Sequence, residues 1–102
     1  MTTPGRAQAI RLTGWIAIDS EELRRLAALL DEHRVRTLAE SGCLEFSVRP
    51  SPTHPDRLLV DERFVDRAAF DDHQRRTADS AWGVATRHLR RNYTISDDTL
   101  GP

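Results

Sequence analysis

The apolar residues of this chain switch twice from every second position to every third or fourth, and that alternation of periods leaves few folds open. "AIRLTGWIAI" (9–18) sets Ile10, Leu12, Gly14, Ile16 and Ile18 on one face and Arg11, Thr13, Trp15 and Ala17 on the other, the pattern of a strand covered on one side. "DSEE" then offers Asp19 or Ser20 as a helix cap with acidic residues in the first turn. Leu23, Leu26, Ala27, Leu30, Leu38 and Ala39 keep helical spacing to about residue 40, where Ser41-Gly42 closes the helix. Glu21 with Arg25, and Glu32 with Arg36, are solvent-face pairs.

"CLEFSVR" (43–49) reads as a second strand, with Leu44, Phe46 and Val48 inward and Glu45, Ser47 and Arg49 outward. The prolines of "PSPTHPD" (50–56) make a loop. "RLLVDERFV" (57–65) is the third strand, and Asp66 caps a second helix that should break near Asp79-Ser80 and resume through "AWGVATRH". "LRRNYTI" (89–95) is the fourth strand and "SDDTLGP" a polar tail.

The order β-α-β-β-α-β predicts an α+β, ferredoxin-like fold over residues 9–95, flanked by tails at 1–8 and 96–102. Its four strands form one antiparallel sheet with both helices on one face. The other face would carry Trp15, Cys43, Leu59 and Val65 among polar residues. A partly apolar open face predicts a partner, here a homodimer through the sheet, with Trp15 a dimer contact.

Composition narrows the function. A chain of 102 residues has room for one core. The net charge of −1 offers no field for nucleic acid or an anionic membrane. The ferredoxin-like topology is also that of RNA-recognition modules, but the third strand presents Asp61 and Glu62 where such a module needs exposed aromatics in basic surroundings. All 15 cationic residues are Arg, which excludes lysine Schiff-base chemistry. Cys43 is the single cysteine, so no intrachain disulfide forms. It starts a strand without a matched His, which argues against a thiol nucleophile. "MTTPGRAQ" lacks a signal-peptide core, and no apolar run reaches bilayer length. A soluble cytoplasmic domain is expected. His33, His54 and His88 are scattered without metal-ligand spacing, and no glycine-rich phosphate loop or dinucleotide fingerprint occurs. Neither a metal nor another cofactor is expected.

Two polar residues interrupt apolar stripes. Leu58, Val60, Glu62 and Phe64 share a strand face, and Ala69, Phe70, His73 and Thr77 share a helix face. Both stripes must face the space between sheet and helices, so Glu62 and His73 should meet there. A carboxylate-oriented imidazole is a good general base near neutral pH. The same two residues could equally serve the core, His73 as a hydrogen-bonded imidazole and Glu62 bonded to backbone or to an Arg.

These segments resemble the antibiotic biosynthesis monooxygenase (ABM) domain: Glu40, Gly42 and Cys43 at the entry to the second strand, then Glu62, Phe64, Ala68, Ala69 and His73. The resemblance spans roughly residues 9 to 95 and implies a dimeric α+β barrel. Among the activities it implies, cofactor-free oxidation of quinols or small polyphenolic aromatics by dioxygen fits best, with His73 and Glu62 catalytic. Phe46, Phe64, Phe70 and Trp82 would line the cavity, and Tyr93 would donate a hydrogen bond to a substrate oxygen. A barrel that binds a small aromatic without turnover is the alternative. The heme-degrading branch uses an Asn, which here has only Asn92, in the last strand rather than the first, to match it.

Overall fold

The computed structural model describes residues 8–99. Its elements run β1 (Gln8–Ala17), α1 (Ser20–Arg25), α2 (Ala27–Leu38), β2 (Cys43–Pro50), β3 (Arg57–Phe64), α3 (Arg67–Asp79), α4 (Ala81–Ala85) and β4 (Arg91–Thr99). The four strands form one antiparallel sheet in the order β2-β3-β1-β4, the ferredoxin-like arrangement that the periods predict. Side-chain caps start α1, α3 and α4, where Asp19 accepts from the Glu22 amide, Asp66 from the Ala69 amide and Ser80 from the Gly83 amide; α2 starts at Leu26 without one.

The core forms where the stripes of the strands meet the helices. Ile10, Leu12 and Ile16 of β1, with Leu58, Val60 and Phe64 of β3, are buried against Leu30, Phe70 and Trp82. Burial alternates strictly along β3, so Glu62 is as deep as its apolar neighbours. On the opposite face, Trp15 is flanked by the guanidiniums of Arg57 and Arg90, 4.1 and 5.4 Å from its ring centre. Arg11 also pairs there with both carboxylate oxygens of Asp61, at 3.0 and 2.7 Å.

Four local expectations are corrected. The first helix is two, divided at Leu26 (φ −101°, ψ 6°). The Leu26 amide still reaches the Glu22 carbonyl, and neither Gly nor Pro marks the division. The buried stripe of α2 runs Leu30, His33, Thr37, while Leu38 is exposed. A bulge in β2 shifts its register between Cys43 and Glu45, and an extra residue in one strand inverts the side-chain alternation. Cys43 therefore packs against the core rather than on the open face, and Leu44 is 42% exposed instead of inward. β4 begins at Arg91 and runs to Thr99 rather than ending at 95, because β1 supplies partners as far as Gln8. A polar sequence suits such an edge strand. Of the two expected tails, residues 1–7 and 100–102 lie outside the described residues.

Candidate functional site

Between sheet and helices lies a cavity of about 360 Å³, within the size range of small-molecule sites. Its floor is a gap in the sheet. Gly14 is flanked along β1 by Leu12 and Ile16, and across the strands by Val60 and Tyr93. These four side chains line the cavity, and Gly14 at their centre contributes none. Only glycine fits: φ is +151°, and an added Cβ would stand 2.0 Å from the Asn92 carbonyl oxygen.

His73 reaches the cavity from α3 and is 1% exposed. Its Nδ1 lies 2.7 Å from Glu40 Oε1, in the turn after α2. Arg76 fixes that carboxylate, its Nε donating to Oε2 at 3.1 Å and its Nη2 to Oε1 at 3.4 Å, while Nη2 also donates to Thr37 Oγ1 at 3.1 Å. Burial alone would raise the Glu40 carboxyl, but its bonds from Arg76 and His73 outweigh that and hold it below the usual carboxylate range. An ionised carboxylate only accepts, so Nδ1 carries the proton and Nε2 keeps its lone pair. Burial drives the His73 imidazole below its ordinary value despite the hydrogen bond and charge of Glu40, aided by the charge of Arg76. A neutral base results. Gly42 makes the arrangement possible, since a Cβ there would meet Ala69 Cβ at 2.4 Å where the turn packs on α3.

Glu62 approaches the other side of the ring, with Oε1 3.5 Å from His73 Nε2. Thr77 Oγ1 stands 3.3 Å from the same nitrogen. The expected meeting of Glu62 and His73 thus occurs, but the carboxylate that hydrogen-bonds the imidazole is Glu40. Burial first, then the charges of Glu40 and Asp61, push the Glu62 carboxyl up to about 7. Near neutrality the carboxyl is therefore divided between its protonated and ionised forms at the cavity wall.

Phe46, Trp82 and Tyr93 line the cavity as expected; Phe64 and Phe70 do not. Phe64 is fully buried with its ring 4.7 Å from that of His73, and Phe70 packs edge-on behind it at 5.9 Å. Both support the site from the core, because their stripe positions lie beyond the gap at Gly14. Burial pushes the Tyr93 hydroxyl up to about 12, so it stays a donor. Cys43 is likewise raised by burial, which favours the thiol over the thiolate. Asn92 is exposed and pairs with Trp15, on the face away from the cavity.

His33 was not among the residues predicted for the site, yet it lines the cavity and is 5% exposed. Its place between Leu30 and Thr37, at spacings of three and four, is the signal that could have found it. Among the described residues, no group of three or more His, Cys, Asp or Glu is arranged to hold a metal ion. No described helix is long and apolar enough to cross a membrane.

Residues 9–82 match the family model for antibiotic biosynthesis monooxygenase. The chain belongs to that family. Membership supports a monooxygenase-like role in general terms. Among curated proteins none matches the sequence. Solved structures agree on the fold. A candidate antibiotic biosynthesis monooxygenase from Caulobacter crescentus superposes with a TM-score of 0.75 at 13% identity, covering 93% of this chain and 94% of that one. A protein from Shewanella oneidensis gives 0.72 at 22% identity over 93% and 95%. A conserved protein from Methanosarcina mazei gives 0.71 at 21% over 88% and 92%. At these identities the likeness is one of fold.

Proposed function

We propose that this ABM-family protein oxidises a quinol or small polyphenolic aromatic with dioxygen, without a cofactor, with His73 as the base. The observation that carries the reading is a buried, neutral imidazole whose Nδ1 is tied to Glu40 while Nε2 keeps its lone pair at the wall of an aromatic-lined cavity.

Nε2 takes the proton of a phenolic hydroxyl, and the phenolate passes one electron to dioxygen. The superoxide and aryloxyl radical so formed combine at a ring carbon that bears hydrogen, making a carbon–oxygen bond and a peroxide. Loss of that carbon's hydrogen as a proton, with cleavage of the O–O bond, leaves a carbonyl and releases water. One dioxygen thus converts a phenolic ring C–H into a quinone carbonyl plus one water. The cavity excludes bulk water from the radical pair, and Glu62, near its midpoint at neutral pH, supplies or receives the proton of the peroxide step. Glu40 is a positioning residue, acting through His73. Pairing of two open sheet faces into a barrel belongs to the same reading, supported by the aromatic Trp15 on that face.

Thr77 Oγ1, at 3.3 Å from Nε2, favours a second reading in which His73 is a satisfied core residue and the domain binds an aromatic without turnover. Dioxygen uptake over a panel of reduced quinols, corrected for autoxidation, separates the two. Saturable uptake that is lost in His73→Ala is the expected result. Uptake at background across the panel, with an aromatic still retained, would establish the second reading.

A further inference from the structure

The charged side chains that line the cavity are Glu62, Arg87 and Arg91, two cations against one carboxyl. The two histidines in its wall are held neutral by burial. Arg91 donates to the Thr86 and Leu89 carbonyls at 2.8 and 3.0 Å and to Thr86 Oγ1 at 2.7 Å, which ties the chain after α4 down to β4. Arg87, the next residue, makes one hydrogen bond among the described residues, from Nη2 to the Ala78 carbonyl at 3.3 Å. Neither guanidinium has a carboxylate partner among those residues. Arg87 is also exposed, so most of its five donors are free to meet a ligand. The imbalance of charge gives the cavity a positive field and an affinity for an anion.

The second constraint is where these charges stand. In the sheet Glu62 pairs with Leu12 and Arg91 with Ile16, on opposite sides of β1. Four residues along a strand and two strand spacings across it come to about 13 and 10 Å, which sets the two backbones about 16 Å apart. The gap at Gly14 lies midway along that diagonal. The helix above gives the same polarity. Ala78 of α3, whose carbonyl holds Arg87, lies five residues beyond His73, a rise of about 7.5 Å. The cations therefore gather at one end of the cavity and the His73–Glu62 pair at the other.

We infer that Arg87, supported by the charge of Arg91, binds an anionic group of the ligand, and that the cavity takes a hydroxyaryl carboxylate whose carboxylate lies at the opposite end from the hydroxyl facing His73. This rests on the cavity being the ligand site of the proposed function and narrows its substrate class. A planar guanidinium suits a carboxylate, which it can grip through two parallel N–H donors. The aromatic body spans the gap at Gly14, where no side chain obstructs it. A neutral phenol leaves both cations unmatched, and a carboxylate next to the hydroxyl falls at the wrong end.

The test is an anaerobic calorimetric titration of the full chain with 6-hydroxy-2-naphthoate, its methyl ester and 3-hydroxy-2-naphthoate. The first carries its two groups at opposite ends, the ester removes the charge, and the third sets the carboxylate beside the hydroxyl. 6-Hydroxy-2-naphthoate is expected to bind about tenfold more tightly than either comparison compound, the worth of about one charge-assisted hydrogen bond at an exposed guanidinium. Arg87→Gln should bring it down to the level of the ester. An ester bound as tightly as the acid, an advantage that survives in Arg87→Gln, or a 3-hydroxy isomer bound as tightly as the 6-hydroxy would each overturn the inference. No binding by any of the three would overturn it as well. The comparison of acid with ester uses the wild-type protein alone, so it stands however the variant folds. With oxygen absent the titration reads binding alone, so a failed oxygenase assay and a failed anion site remain distinct results.

Discussion

His73 on α3 and Glu40 in the turn after α2 are joined through Nδ1 and Oε1 at 2.7 Å, across 33 positions of sequence. This bond selects the tautomer of the imidazole and leaves Nε2 as the unprotonated nitrogen, beside Thr77 Oγ1 and Glu62 Oε1. It also ties the end of one helix to the middle of another, so its loss has both a functional and a structural consequence.

Removing the charge while keeping the shape separates those consequences. Glu40→Gln should lower dioxygen uptake by about 10- to 100-fold, the range seen when a group that orients a functional imidazole is replaced, and should move the basic nitrogen's midpoint in the pH–rate profile downward. Glu40→Ala should in addition cost about 1–3 kcal/mol, because the buried Nδ1–H and the Arg76 guanidinium lose their acceptor. Urea denaturation alongside the rate profile checks both.

Glu62 should make folding pH-dependent. Its carboxyl is pushed up to about 7 from an unperturbed 4.5, so the native state binds the extra proton between those values and stability falls as pH rises through that window. The loss amounts to about 3 kcal/mol by pH 8. Glu62→Gln should therefore match wild type near pH 4 and exceed it at pH 8. The wild-type-minus-variant difference in unfolding free energy isolates this residue from the histidines.

The histidines act in the opposite sense. His33 is lowered to about 4 from 6.5, so the unfolded chain takes up its proton first and stability is lost as pH falls through that interval. His33→Phe should move the midpoint of acid unfolding to lower pH. Far-ultraviolet circular dichroism across an acid titration reads the shift.

Gly14→Ala should destabilise the protein by more than about 1 kcal/mol, since it forces a side chain onto a positive-φ residue facing a backbone carbonyl. Amide exchange should speed up in β1 and β4 before β2, because the collision is with Asn92 of β4.

The alternation of Leu58, Val60, Glu62 and Phe64 was enough to place Glu62 inside, and the spacing of Phe70, His73 and Thr77 was enough to aim His73 at it, because a two-residue and a 3.6-residue period each fix which side of an element a residue takes. Near the ends of elements that reasoning weakened. The β2 bulge reversed Cys43 and Leu44, and nothing in "GCLEF" announces an extra residue. The polar "SDDT" became strand since β1 was there to pair with it.

By itself, then, the sequence determined the order of elements, the antiparallel sheet with its covered face, and the pair of polar side chains that face each other across the core. The tertiary structure alone decided that Glu40 rather than Glu62 holds the imidazole, that His33 joins the cavity, and that Phe64 and Phe70 stand behind the site instead of in it. The division has a physical cause. Periodicity reports the direction a side chain takes from its own backbone, whereas which groups come within hydrogen-bonding reach depends on how far the elements sit from one another, and that is set by close contacts such as Gly42 against Ala69.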